Sequence, residues 1–476
     1  MRFEKSIELP VSQSEAFEYH ARPGALNRLV PPWESVEIIR SANSILPGSE
    51  VLLRANILGK RLDWLARHDL YEPPSLFSDV QVYGPFASWE HKHSIAAIGT
   101  NRCALTDRID YRLPLGALGQ LFGSGIASKK LDAMFRFRHR QTLEDLCFGN
   151  SLSNITSGES KTVAVSGCNG LVGKSVCSLL TVLGHRVIKL DRSQDARLAN
   201  APSASGSVSN ERQIVSTTSW DPRNGLSRPD DLDGIDAVIH LAGKGIADSR
   251  WTESVRKELV ASRVDATEKL ALQLARLTNP PKAFVSASGV GMYGSIGDSV
   301  ADESFPVAQD FLGQLASRWE NASSSLDTCG TRRCFGRLGI VLDPRSGALA
   351  KMLPVVQWGV GGNMGSGNQY WSWISKEDAA SAFIWLALNP ACSGPYNFTG
   401  DAETNRQFTL TLASLLNRPA LLPAPGFALK LVLGEMADSL LLASTNASNR
   451  KLLDSGYEFR CSSLKDAISH ILGLNF

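Results

Sequence analysis

Residues 162–180, TVAVSGCNGLVGKSVCSLL, limit the folds open to this chain more than any other stretch. A short β-branched run stops at Ser166, and glycines then stand at 167, 170 and 173 before a helical pattern begins. Each glycine of such a G-x-x-G-x-x-G loop has its own reason: a tight turn, close approach of backbone N–H groups to a pyrophosphate, and packing of helix on strand. The loop carries this meaning only between a strand and a helix. Both are present here, and a second strand-like run, 186–190, ends at Asp191, 24 residues beyond Gly167. The pattern predicts a βαβ unit that holds a dinucleotide against Gly167, Asn169, Gly170, Leu171, Val172 and Gly173. At the second strand's end Asp191 would accept hydrogen bonds from the adenosine ribose of NAD, whereas Arg192 would pair with the 2′-phosphate of NADP. Both cofactors stay open on these residues.

Further strand-like runs at 236–240 and 283–288 alternate with helical patterns at 171–183 and 252–277, the signature of a doubly wound parallel sheet in an α/β fold. Before residue 149 the order differs. Alternating segments at 50–55, 77–83, 89–95 and 102–111 precede a helical run at 129–146, which predicts an α+β antiparallel sheet closed on a long helix. The polar stretch 149–160, GNSLSNITSGES, reads as a linker. The expected division is therefore 1–148, a linker at 149–160, a nucleotide-binding domain at 161–395, and a small domain at 396–476 on the substrate side. The Ser- and Asn-rich stretch 193–210 reads as a surface loop.

A length of 476 residues fits about three units on a prior of roughly 150 residues each. Lys and Arg number 49 against 47 Asp and Glu, and the one tight basic cluster is Arg136, Arg138, His139 and Arg140, which argues against a nucleic-acid partner. Eight cysteines without a C-x-x-C pair read as reduced thiols rather than a disulfide scaffold or zinc knuckle. The first residues, MRFEKSIELPVSQSE, interleave charges where a leader needs an apolar core, and no run reaches the roughly 18 apolar residues of a membrane span. Residues 426–444 are broken by Lys430, Glu435 and Asp438 and read as amphipathic helix. A cytoplasmic protein without a membrane span is expected.

Seven motifs run in order through 161–476: SGCNGLVG, His240-Leu241-Ala242-Gly243, Ser262-Arg263, SASGVGMYG, the 310–320 segment ending Trp319-Glu320, RLGIVL from Arg337, and GSGNQYWSWI. Over that stretch the chain resembles the extended short-chain dehydrogenase/reductase superfamily, in the NAD-dependent epimerase/dehydratase-like branch of epimerase family proteins with a short C-terminal domain. The resemblance implies a Rossmann-like fold, NAD or NADP, a small-molecule substrate, and a place for His240, Leu241, Ala242 and Gly243 beside the adenosine and pyrophosphate. In residues 1–148 the phrases SIELP, HARPG, LVPPW and GPF through WEHKH are similar to the START-like or polyketide-cyclase ligand-binding superfamily. That likeness implies a helix-grip fold with a cavity for an apolar ligand.

Members of the dehydrogenase superfamily resemble one another in a Ser, Tyr, Lys set, with the last two spaced Y-x-x-x-K on a helix. A phenol that titrates near 10 needs the ammonium beside it to ionise at neutral pH, about 4 kcal/mol of help. Here Ser288 keeps the strand-end position, but counting back from Glu320 puts the other two positions on Leu312 and Ala316. Neither carries a proton, and no Y-x-x-x-K occurs between 161 and 476. Tyr293 is the expected replacement donor, with Tyr370 and Glu303 as alternatives; a packed, hydrogen-bonded Tyr293 and a capping Glu303 are the competing structural readings. Arg337, flanked by apolar residues, calls for an anionic partner. Trp371 and Trp373 would supply either a stacking surface or core. His91 and His93 face one side of a strand; a metal needs a third convergent ligand and a second shell, so no metal is assigned, and polar lining of a ligand cavity or ordinary hydrogen-bonded histidines are the readings kept. Two functions follow: an NAD(P)-dependent oxidoreductase or epimerase-like protein with an apolar-ligand-binding N-terminal domain, or a dinucleotide-liganded sensor or scaffold.

Overall fold

Alternation of inward and outward side chains builds the first half of the chain. Along two neighbouring strands Trp89, His91, His93 and Ile95 point inward, as do Cys103, Leu105, Asp107, Ile109 and Tyr111, the period-2 pattern of a sheet with one covered face. The computed structural model describes all residues except Leu58, Leu115, 193–213, Ser462 and 475–476, so the surface loop expected at 193–210 lies outside the described residues. Chain contacts separate two units, Met1–Ser153 with Ser178–Gly184 and His470–Phe476, and Asn154–Cys177 with His185–Ser469.

The first unit comprises β1 (Arg2–Leu9), α1 (Gln13–Ala21), α2 (Ala25–Leu29), β2 (Val36–Ser41), β3 (Glu50–Ile57), β4 (Lys60–Glu72), β5 (Leu76–Tyr83), β6 (Ser88–Gly99), β7 (Arg102–Arg112) and α3, which starts at Gly116. Its antiparallel sheet has the order β1-β7-β6-β5-β4-β3-β2. Leu131 and Phe135 of α3 pack on Trp89, Ile109 and Tyr111, so the sheet closes on the long helix as the helix-grip reading requires. Helix α1 begins with a capping box between Ser12 and Glu15. Fully buried Asp145 in α3 accepts hydrogen bonds from Tyr19 Oη, from Arg28 Nε and Nη2, and from Gln141 Nε2, at 2.6 to 2.8 Å. Helix α3 runs on to Thr156. Most of the stretch read as a linker, 149–160, is therefore helical, because Phe148, Leu152 and Thr156 recur every four residues and are buried along one stripe.

The rest of the chain contains β8 (Thr162–Ser166), α4 (Leu171–Val182), β9 (Arg186–Asp191), β10 (Val215–Asp221), β11 (Gly225–Leu226), β12 (Ala237–His240), α5 (Glu253–Val260), α6 (Ala266–Leu274) and β13 (Ala283–Gly289). It continues through β14 (Val300–Ala301), α7 (Phe311–Asn321), β15 (Arg332–Leu338), β16 (Ile340–Leu342), α8 (Gly347–Gln357), β17 (Tyr370–Trp371), β18 (Trp373–Ser375), α9 (Lys376–Leu388), β19 (Gly394–Phe398) and β20 (Glu403–Thr404). Helix α10 (Asn405–Leu415), α11 (Gly426–Leu433), β21 (Asn446–Ala447), α12 (Arg450–Asp454) and α13 (Leu464–Leu472) follow. The large sheet has the order β11-β10-β9-β8-β12-β13-β15-β19, parallel from β10 to β19. Helices flank it, and the result is a Rossmann-like α/β core. Val163, Ala164, Val165 and Ser166 of β8 are all buried, which explains why that strand reads as a continuous small and apolar run rather than an alternating one. Short pairings β14·β21, β16·β18 and β17·β20 tie the later segments together. The boundary expected between 395 and 396 falls inside β19. The eight cysteines form no disulfide, and no described helix is long and apolar enough to cross a membrane.

Candidate functional site

The parallel sheet starts from its middle: β8 pairs with β9 on one side and with β12 on the other. Chain order reverses there, and in open α/β sheets ligands lie in the crevice outside the strand ends at such a reversal. Gly167, the first residue past β8, has φ +68°, and a Cβ on it would stand 2.8 Å from the Leu241 carbonyl. A Cβ on Gly173 would stand 2.1 Å from Gly167 O, so only glycine lets α4 begin so close under the turn. Gly170 is different. A Cβ there meets only Gly167 O, at 3.1 Å, which leaves an open side at the start of α4. Leu171 and Val172, half-buried, form the first turn of that helix.

Asp191 ends β9 and is tied to the loop: Asn169 Nδ2 donates to its Oδ2 at 2.9 Å, and Arg192 N donates to its Oδ1 at 2.7 Å. The Arg192 side chain is exposed. His240 ends β12 opposite Ser166, with its Nδ1 2.7 Å from Ser166 Oγ. Its ring lies edge-on to Trp220 and stacked with Phe284, and burial pushes its pKa down to about 4, so it is a neutral spacer inside the sheet. Leu241, Ala242 and Gly243 then pass beside the glycine turn. The structure thus brings residues 167–173, 191–192 and 240–243 together at the carboxyl ends of three adjacent strands.

Arg263 was singled out in sequence only as part of a motif. Its guanidinium lies 3.4 Å from the place of a Cβ on Gly243, donates from Nη2 to Lys244 O at 2.7 Å, and covers the Trp319 ring. Its buried Nη1 has no hydrogen-bond partner among the described residues, and burial pushes its pKa down to about 10. An arginine inside the helical run 252–277 was the available signal.

On the reaction side, Ser288 sits at the end of β13 opposite Arg337 of β15, is buried, and its Oγ has no hydrogen-bond partner among the described residues. Tyr293 is committed elsewhere. Its hydroxyl donates to Asn397 Oδ1 at 2.7 Å and accepts from Arg337 Nη1 at 2.9 Å. Burial raises the phenol's pKa in spite of the neighbouring guanidinium. The structure therefore favours the packed, hydrogen-bonded reading of Tyr293 over a proton donor facing a substrate. Arg337 has its anion in Glu320, with Nε and Nη2 each 2.9 Å from the carboxylate, and this pairing holds the guanidinium above its ordinary range. Glu303 Oε1 accepts from Asn397 N at 2.7 Å and joins the same network.

Helix α7 is capped by Asp310, which accepts from Gly313 N at 2.8 Å. Leu312 packs in the cluster of Trp251 and Leu315, and Ala316 in that of Val290, Met292 and Tyr293. Trp371 and Trp373 are 3% exposed each, with Nε1 donating to Leu441 O and Asp401 O, so the core reading of that pair holds.

Three family profiles match in succession: NAD dependent epimerase/dehydratase family over 163–398, polyketide cyclase / dehydrase and lipid transport over 9–135, and a domain of unknown function over 424–471. An epimerase family protein of Mycobacterium leprae (strain TN) is 33% identical over 309 residues, 65% of this chain and 94% of that protein. One of Bacillus subtilis (strain 168) is 32% identical over 312 residues, 65% and 97% of the two chains. Among solved structures, a nucleoside-diphosphate sugar epimerase from Corynebacterium glutamicum superimposes with TM-score 0.79 at 28% identity, over 99% of this chain and 90% of that one. A human epimerase family protein solved with NADPH gives TM-score 0.56 at 29% identity, over 65% and 99%.

Proposed function

Since the chain belongs to the NAD dependent epimerase/dehydratase family, we propose that its second unit binds NAD or NADP and acts as an oxidoreductase or epimerase-like protein on a small molecule. The observation that carries this reading is the glycine turn at the sheet's reversal, where Cβ atoms are excluded at 167 and 173 and the Gly170 side is open. The residues fit a pyrophosphate: backbone amides at the start of α4 would face it, and Asp191 with Arg192 would meet the adenosine ribose. When bound, the nicotinamide of such a cofactor supplies hydride transfer. Ser288 would orient a substrate oxygen with its unengaged hydroxyl. Tyr293 enters as a positioning residue that holds Arg337 and Asn397 beside the β13 end, since its own proton is directed at Asn397. In the first unit we propose an apolar ligand against the sheet's inner face, a role supported by the lipid-transport family match.

The test is single-turnover oxidation of bound NADH or NADPH across carbonyl and nucleotide-sugar substrates. Turnover that falls in Ser288→Ala with cofactor affinity unchanged supports the enzyme. Tight cofactor binding with no oxidation on any substrate supports the second reading, a dinucleotide-liganded sensor or scaffold. That reading draws on the apolar packing of Leu312 and Ala316.

A further inference from the structure

The sheet of the first unit carries a buried polar cluster that the reaction above does not use. In one cross-strand row His68 of β4 stands opposite Asp79 of β5, and Asp79 opposite His91 of β6. In the next row on the same face Phe77 stands opposite His93, and His93 opposite Asp107 of β7. His91, His93 and Asp107 are all buried, whereas the Asp79 side chain keeps 17% exposure and gives the cluster its reachable member.

Asp107 settles which ring nitrogens carry protons. Its Oδ1 lies 3.0 Å from His91 Nε2 and 2.6 Å from His93 Nδ1, and its Oδ2 lies 2.6 Å from His139 Nε2. The His93 contact is not aligned as a straight hydrogen bond, but a lone pair 2.6 Å from a carboxylate oxygen would be repelled, so that nitrogen holds the hydrogen. While both imidazoles are neutral, the remaining ring nitrogens, His91 Nδ1 and His93 Nε2, present lone pairs. They lie 3.4 Å and 4.0 Å from Asp79 Oδ1, and the three residues offer ligand atoms within 4.8 Å of one another. Three acceptors converging in a buried place repel unless a cation or a proton stands among them.

We propose that Asp79, His91 and His93 bind one divalent transition-metal ion of the Zn²⁺ class, with Asp107 as the carboxylate that orients both imidazoles. Tetrahedral bonds of about 2.0–2.1 Å put ligand atoms roughly 3.3 Å apart, and the two spacings to Asp79, 3.4 Å and 4.0 Å, approach that. Two imidazoles with one carboxylate suit Zn²⁺ or a similar ion, whereas Mg²⁺ and Ca²⁺ take oxygen ligands. A carboxylate behind the ligating histidines is the usual second shell, and here a single one serves both. Three protein ligands leave a position for water or a ligand of the first unit.

The experiment uses the full-length protein, stripped with a chelator and titrated with ZnCl₂, CoCl₂ and MgCl₂. One Zn²⁺ per chain, a rise in melting temperature with Zn²⁺, and visible absorption bands with Co²⁺ are expected, and no response to Mg²⁺. Asp107→Asn weakens Zn²⁺ binding roughly 10- to 100-fold, as second-shell losses do, and Asp79→Asn and His93→Gln weaken it further. Asp79→Asn is the variant that keeps the fold, since it alters a partly exposed group by one atom; far-UV circular dichroism checks this. Wild-type protein with no saturable Zn²⁺ or Co²⁺ uptake overturns the proposal and leaves a proton on His91 Nδ1 as the occupant. Uptake that both Asp79→Asn and His93→Gln leave unchanged overturns it by placing the ion elsewhere.

Discussion

His240 shows what one buried titratable ring does to a sheet. Its pKa falls from 6.5 to about 4 through burial alone, so the native chain refuses a proton that the unfolded chain accepts below about pH 6.5. More protons on the unfolded state mean stability is lost as pH falls from about 6.5 to 4, by about 3 kcal/mol from this residue. Urea unfolding at pH 7 and at pH 4.5 should show that loss in wild type and a smaller one in His240→Gln. The glycines give a second residue-scale prediction. Gly170→Val should abolish NAD and NADP binding by calorimetry while the first unit melts unchanged; retained affinity would remove the loop from the cofactor site. Asp191→Ala should move preference toward NADP and Arg192→Ala toward NAD. Equal ratios in both variants would mean that the end of β9 does not meet the ribose.

At the scale of elements, α3 owes its place to Asp145 as much as to its apolar stripe. Asp145→Ala would leave Arg28 charged and buried, and removing one partner of such a pair costs about 3–5 kcal/mol. Thermal melting should show a large drop for that variant and also for Arg28→Met, which strands the Asp145 carboxylate in turn, and a smaller one for the double variant Asp145→Ala/Arg28→Met, in which neither charge is left buried. The strands around the glycine turn and helix α7 were readable because their signals are local: period, caps and glycine spacing. The end of α3 was not, since GNSLSNIT is polar in composition and only the four-residue recurrence of Phe148, Leu152 and Thr156 betrays a buried face. Nor could local pattern show that Tyr293 is tied to Asn397, 104 residues away, or that Arg337 is paired with Glu320. The nearness of Asp79 to His91 and His93 was hidden for the same reason: it joins them only through strand register.

Taken as a whole molecule, the two sheets differ in how far apart along the chain their partners lie. From β2 to β7 each strand pairs with the next, and only β1 waits, for β7. In the second sheet the central strand β8 finds β9 within 24 residues, but Ser166 meets His240 only 74 residues on, and β15 then waits for β19. Long loops must close before such contacts reward them, and parallel pairings are slow for that reason. The consequence is an order in time. As the chain leaves the ribosome, β2–β7 can pair strand by strand, whereas β8 emerges with one edge unsatisfied until β12 has been made. Pulse-labelling hydrogen exchange during refolding should protect the amides of β3–β6 well before those of β8 and β12. Simultaneous protection in the two sheets would show that one cooperative event forms both, and would leave no interval in which a bare central strand is exposed to other chains.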